Sequence, residues 1–145
     1  MISRARHHHV LLDTGPLVAI RAAQDSEHEL CLETLRYIEL PLLTCWPVLT
    51  EAAWMLRHRP AAVARLYRGA ADGVFRILPL AGEDLPEIER LHARYASLSP
   101  QLADLSLLHL AEREGLDTVF TLDRRDFTVF RLKGRKRLHL LPDEQ

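Results

Sequence analysis

Cysteine is scarce in this chain, with Cys31 and Cys45 the only two. Two thiols cannot make a disulfide framework or a zinc finger, so they read as small buried hydrophobes of a reducing compartment. No apolar run approaches the roughly 18 residues of a membrane span, so no transmembrane helix is expected. An excess of one charge is also missing. Nineteen basic and 20 acidic side chains leave a net charge of −1, which excludes a polycation that binds nucleic acid by bulk charge but leaves a local basic patch open. The basic N-terminus (Arg4, Arg6) leads into an apolar stretch broken by Asp13, so no secretory signal is expected and the expected setting is cytoplasmic. The run His7-His8-His9 is short for a purification tag and reads as native. Internal repeats and low-complexity linkers are lacking as well.

What remains is one globular domain, residues 1–145. Its 48% hydrophobic and 27% charged residues are ordinary for a soluble protein, and a chain of this length buries roughly 68–70% of its unfolded surface. Residues 9–13 read as a short buried strand, and Leu17, Val18 and Ile20 begin a helix that takes Pro16 in its first turn. Residues 25–39 carry Leu30, Cys31, Leu35 and Ile38 at helical spacing, and Pro41 stops that helix. Residues 42–45 are a second strand. Pro47 opens a helix through Leu56, and Pro60 opens another with Val63, Leu66 and Tyr67 on one face. Residues 74–80 are a third strand. Leu85, Ile88, Leu91 and Tyr95 stripe the next helix. Ser99-Pro100 is expected to cap a helix that runs to Glu114 and stops at Gly115. Residues 117–122 are a fourth strand, Asp123 to Asp126 a tight turn, and residues 137–141 a fifth strand. Short strands alternating with amphipathic helices predict an α/β fold with a central parallel sheet of four to five strands.

Ligands of such sheets bind beyond the carboxyl ends of the strands. Asp13 directly follows Val10-Leu11-Leu12, and Asp123 directly follows Val119-Phe120-Thr121-Leu122. Glu51 lies on the helix after the second strand, and Asp104 near the start of the helix before the fourth. Four acids from four segments therefore converge on one edge of the sheet. Two carboxylates ~5 Å apart at an effective dielectric of ~20 repel by about 3 kcal/mol. A divalent cation removes that cost, and an oxygen-only ligand set suits Mg²⁺ or Mn²⁺ better than Zn²⁺. Such an ion polarises phosphate oxygens and acidifies water, which is the chemistry of phosphodiester hydrolysis.

Each acid also has an ordinary explanation. Asp13 can cap a helix, Glu51 can be a solvated helix residue, Asp104 can favour a helix N-terminus, and Asp123 and Asp126 can be turn residues. Together they have a more specific one. Residues 10–19, Val10-Leu11-Leu12-Asp13-Thr14-Gly15 onward, resemble the opening strand and turn of PIN-domain nucleases. Leu102-Ala103-Asp104-Leu105-Ser106-Leu107 resembles the third acidic motif of that family, and Thr121-Leu122-Asp123-Arg124-Arg125-Asp126 the fourth. Trp46-Pro47-Val48-Leu49-Thr50-Glu51 is similar to the second. The resemblance spans residues 10 to about 141 and is nearest to the toxin side of VapBC-type toxin–antitoxin systems.

The resemblance implies a three-layer α/β/α sandwich and a Mg²⁺- or Mn²⁺-dependent endoribonuclease. Asp13, Glu51, Asp104 and Asp123 would form the acidic pocket, with Asp126 a further ligand and Thr14 assisting beside Asp13. Water would attack the scissile phosphate in line and leave a 5′-phosphate. The implied partners are an RNA substrate, a protein antitoxin and a second copy of the chain in a homodimer. The apolar faces of helices 25–39 and 47–57, with Trp46 and Trp54, are candidate surfaces for the antitoxin or the dimer. Arg124 and Arg125 are candidates for binding phosphate, or merely for neutralising the acids. The basic run from Arg131 to Arg137 reads as a solvated hairpin or the guard of an edge strand, and His109 as a packing or surface residue. An aspartyl-phosphate enzyme fits poorly, because Gly15 stands where a second Asp belongs and a receiver domain lacks a suitably placed lysine. A non-catalytic RNA-binding or scaffold module is the other reading, and RNA binding indifferent to metal and to the loss of Asp104 would favour it.

Overall fold

A computed structural model describes residues 5–143; Arg4 lies outside them. Five strands form one parallel sheet: β1 (Leu11–Leu12), β2 (Leu42–Thr44), β3 (Phe75–Ile77), β4 (Thr118–Phe120) and β5 (His139–Leu141). Their order is β3-β2-β1-β4-β5, with every neighbouring pair parallel. Strands covered on both faces need near-continuous apolar sequence. Accordingly, Leu11, Leu12, Leu42, Leu43, Val119 and Phe120 are all buried.

Between β1 and β2 come α1 (Thr14–Arg21) and α2 (His28–Leu35), and between β2 and β3 come α3 (Trp46–Met55) and α4 (Pro60–Arg68). Helices α5 (Leu85–Arg94) and α6 (Leu102–Glu114) join β3 to β4, and the short α7 (Arg124–Val129) joins β4 to β5. The strand order first steps away from β1 in one direction and then, from β4, in the other. Right-handed crossovers therefore put α1 to α4 on one face and α5 to α7 on the other. The packing follows this division, with α1 touching α2, α3 and α4, α5 packing on α6, and α7 on β5, while α3 also meets α6 across the groove that both helices line. This is the expected α/β/α sandwich.

Several local expectations need correction. The second helix covers only His28–Leu35, and Leu30 is exposed while Cys31 and Ile38 are buried. Tyr67 and Leu85, which share a helical stripe with buried residues, face solvent. Helix α6 is entered through Gln101, whereas Ser99 sits in a left-handed conformation at φ 49°. Gly115 does end α6, at φ 68°, where a residue without Cβ is unstrained. The segment from Asp123 to Asp126 is not a free turn but the first turn of α7. Phe127 and Phe130 are fully buried beneath it and pack edge to face, with ring centroids 5.2 Å apart.

Candidate active site

The reversal in strand order falls between β1 and β4, and ligand crevices of open α/β sheets lie beyond the strand ends at such a point. Asp13 is held there by the continuing ladder, because its amide donates to the Phe120 carbonyl at 3.0 Å. It occupies the N-cap position of α1, yet its side chain makes no capping hydrogen bond. Instead the Thr121 hydroxyl donates to Asp13 Oδ2 at 2.7 Å, and the Asp123 amide donates to that same hydroxyl at 2.9 Å. Thr121 thus joins the acids at the ends of β1 and β4. It is fully buried, and the sequence reading overlooked it. A hydroxyl two residues before Asp123, between Phe120 and Leu122, was the available signal.

Asp104 stands in the first turn of α6. Its Oδ2 accepts the Gln101 amide at 3.1 Å, satisfying one of the donors a helix start leaves open. That is the ordinary role foreseen for it, but it engages only one oxygen, and Oδ1 has no hydrogen-bond partner among the described residues. Asp126 is buried in the first turn of α7, 3.4 Å from Arg125 Nε. One oxygen each of Asp104, Asp123 and Asp126 lie within 4.8 Å of one another. Asp13 and Glu51 line the same cavity of about 540 Å³, together with Thr14, Gln101 and Arg125. Glu51 Oε2 accepts the Thr14 hydroxyl at 3.3 Å. Of the candidate residues, then, five acids and Thr14 are brought together, with Asp126 inside the tight trio. Arg125 reaches the cavity with its side chain 83% exposed. Arg124 turns aside, donating to the Pro142 carbonyl at 2.6 Å. His109 is remote from the acids and bonds Asp84 Oδ1 at 2.8 Å.

Five carboxylates around one cavity are an electrostatic cost. The Asp104 carboxyl is pushed up from 3.8 to about 7, chiefly by burial and then by Asp13, Asp123 and Asp126, against the opposing Gln101 amide. The Asp13 carboxyl rises to about 6, again chiefly by burial, although the Thr121 hydroxyl and the Thr14 amide hold it down. Both groups resist ionisation because burial strips the charged form of water and the neighbouring carboxylates repel it. The donor chemistry fits a divalent ion with oxygen ligands. Cys45, the nearby soft donor, is buried with its thiol pushed up to about 11, unsuited to ligate as thiolate.

The profile of the PIN domain matches residues 10–132. This chain belongs to the PIN domain family. Its match covers four of the five strands, β1 to β4, and all five acids. Ribonuclease VapC26 of Mycobacterium tuberculosis is 25% identical over 135 residues, covering 92% of this chain and all of that protein. The crystal structure of M. tuberculosis VapC20, described as a sarcin–ricin loop cleaving toxin, superposes with a TM-score of 0.72 at 18% identity. That superposition covers 80% of this chain and 91% of the other, and it carries the fold.

Proposed function

We propose that this PIN protein, residues 1–145 acting as one domain, is a divalent-metal-dependent endoribonuclease and the toxin of a type II toxin–antitoxin pair. One observation carries the reading. Asp104, Asp123 and Asp126 present oxygens within 4.8 Å of one another, in a cavity where burial and neighbouring carboxylates raise the carboxyls of Asp13 and Asp104. A cluster kept at that electrostatic cost has its use in binding a cation. The likeness to VapC26 along nearly its whole length supports ribonuclease chemistry.

Asp104, Asp123 and Asp126 would hold Mg²⁺ or Mn²⁺, with Asp13 and Glu51 completing the acidic wall. The ion, when bound, would polarise the scissile phosphate and acidify water. The chain's own residues do the positioning. Thr121 fixes Asp13 Oδ2 and the backbone of Asp123 together, and the Gln101 amide fixes Asp104 Oδ2. Thr14 orients Glu51. Arg125, exposed to solvent beside the acids, is suited to a phosphate oxygen next to the cut, with Arg124 a weaker candidate. Water adds across the P–O3′ bond. The phosphate keeps its 5′ linkage, and the departing O3′ takes a proton.

An antitoxin and a second copy of the chain are the protein partners of this reading. Trp46, Trp54 and Leu102 are each more than half exposed and line an apolar groove that shares Glu51 and Gln101 with the acidic cavity. Exposed aromatic surface of this kind suits protein contact. The expected setting is cytoplasmic, and no helix among the described residues is long and apolar enough to cross a membrane.

The test is RNA cleavage by purified protein in EDTA, Mg²⁺ or Mn²⁺, beside Asp104→Asn. Cleavage that needs the metal and disappears in the variant is expected. Cleavage that survives EDTA, or is equal in the variant, would overturn the reading.

A further inference from the structure

The acidic cavity cannot by itself attract a polyanion. Five carboxylates line it against Arg125, and the whole chain carries a net charge of −1. RNA affinity is dominated by contacts between cations and phosphates, so those cations must be gathered elsewhere.

They are gathered around a second cavity of about 840 Å³, between α5, α6 and the loop after α7. Its cations are Arg90, Arg94, Arg131, Lys133 and Arg135. Glu87 and Glu112 oppose them, leaving three positive charges in excess. Two of the cations are engaged. Arg90 holds Glu87 through two bonds of 2.8 and 3.0 Å. Arg131 caps α7 by donating to the carbonyls of Thr128, Val129 and Phe130 at 2.6–3.0 Å. The Arg131 amide also donates to the Tyr95 hydroxyl at 3.0 Å, which ties the loop to the end of α5. Arg94, Lys133 and Arg135 form no ion pair with a described residue. Arg135 stands at φ 62° beside Gly134 at φ 78°. Glycine or asparagine favours such a position, yet the chain carries an arginine there.

The cavity lies a short distance from the acids. Asp104 and Glu112 are eight residues apart on α6, about 12 Å of helix. Helix α7 links the two regions, with Asp123 and Asp126 at its start and Arg131 closing its end.

We propose that this basic cavity is a phosphate-binding exosite that holds the RNA backbone away from the cut, with Arg94, Lys133 and Arg135 as its contacts. The inference rests on RNA being the substrate, but not on metal chemistry. The ligand chemistry is phosphate, and a free nucleotide is its other source.

The test is fluorescence anisotropy of a labelled 20-nucleotide single-stranded RNA in EDTA, for the full chain and Lys133→Gln/Arg135→Gln, across a range of salt. Arg36→Gln/Arg68→Gln, just after α2 and at the end of α4, controls for lost charge. We expect Kd to rise at least fivefold in the cavity variant and less than twofold in the control. Losing two phosphate contacts should flatten the salt dependence of log K by about 1.4, at ~0.7 per phosphate on a single strand. Lys133→Gln alone, expected to lose half of that slope, keeps the test intact if the double variant fails to fold. In a cleavage assay KM should rise with kcat unchanged. Unchanged Kd and slope would overturn the exosite, as would ATP binding that the variant loses while RNA binding stays intact. Metal-dependent cleavage alongside unchanged Kd would sink the exosite and spare the ribonuclease. Cavity-dependent RNA binding with no cleavage at all would do the reverse.

Discussion

Replacing Asp104 with asparagine should destroy the activity and at the same time stabilise the metal-free protein. The folded site raises this carboxyl from 3.8 to about 7. Between those values the folded protein binds more protons than the unfolded chain, so stability falls as pH rises through the window. At pH 8 the ionised side chain costs up to about 4 kcal/mol, at 1.36 kcal/mol per pH unit. Asparagine keeps the volume, and its Oδ1 can still accept the Gln101 amide, so the helix start stays capped while the charge is gone. Water reaching the cavity relieves part of that cost, leaving an expected gain of about 1–3 kcal/mol. For a chain of this size that raises Tm by roughly 3–9 °C. The assay is thermal unfolding in EDTA at pH 5 and pH 8. The gain should be largest at pH 8 and fall to roughly 40% of that at pH 5, where Asp104 is protonated in the folded protein but already ionised in the unfolded chain. Saturating Mn²⁺ should reverse the order, because a ligand at 100 times its Kd stabilises by about 2.7 kcal/mol and the variant binds it poorly. An Asp104→Asn protein that melts at or below the wild-type temperature in EDTA at pH 8 would refute the reasoning.

Thr121→Val removes the hydroxyl that joins Asp13 to the Asp123 backbone; cleavage should drop tenfold or more and stability by about 1–3 kcal/mol, with Thr121→Ser restoring most of both. Asp84, held down to about 2 by the Ala81 amide, His109 and Arg113, contributes stability above its unfolded value near 4. That contribution should disappear as pH falls toward 2, and an acid titration of Asp84→Asn should lack this step. His109→Gln should keep wild-type kcat, since His109 serves Asp84 and not the acids; a hundredfold loss would place it in the chemistry after all. Cys31 and Cys45, buried with thiols pushed up to about 12 and about 11, should react with a thiol reagent only after unfolding.

The strands and their carboxyl-terminal acids were legible because both signals are local. Val10-Leu11-Leu12 before Asp13 and Val119-Phe120 before Asp123 mark buried parallel strands that end at a ligand edge. The nature of α7 was not legible. Asp-Arg-Arg-Asp has turn composition, and only tertiary burial of Phe127 and Phe130, the latter against Tyr95 with centroids 4.9 Å apart, winds it into a helix. That winding brings Asp126 level with Asp104 and Asp123, so a residue placed last among the ligand candidates joins the tight trio. Leu30, Tyr67 and Leu85 had core spacing but lie exposed, because periodicity fixes which residues share a face and not whether anything covers it. The basic run from Arg131 to Arg137 is the solvated hairpin its composition suggests, with Arg131 bridging Arg137 antiparallel and residues 133–137 exposed; what was not legible is that Arg90 and Arg94, from a helix some forty residues earlier, line a cavity with it.

The most direct measurement is an anomalous difference map from crystals of the full chain grown with Mn²⁺. A peak should appear at the acidic edge of the sheet, bounded by Asp104, Asp123 and Asp126, and should vanish in Asp104→Asn crystals. No manganese there at saturating concentration, or a peak unchanged in the variant, would contradict the account.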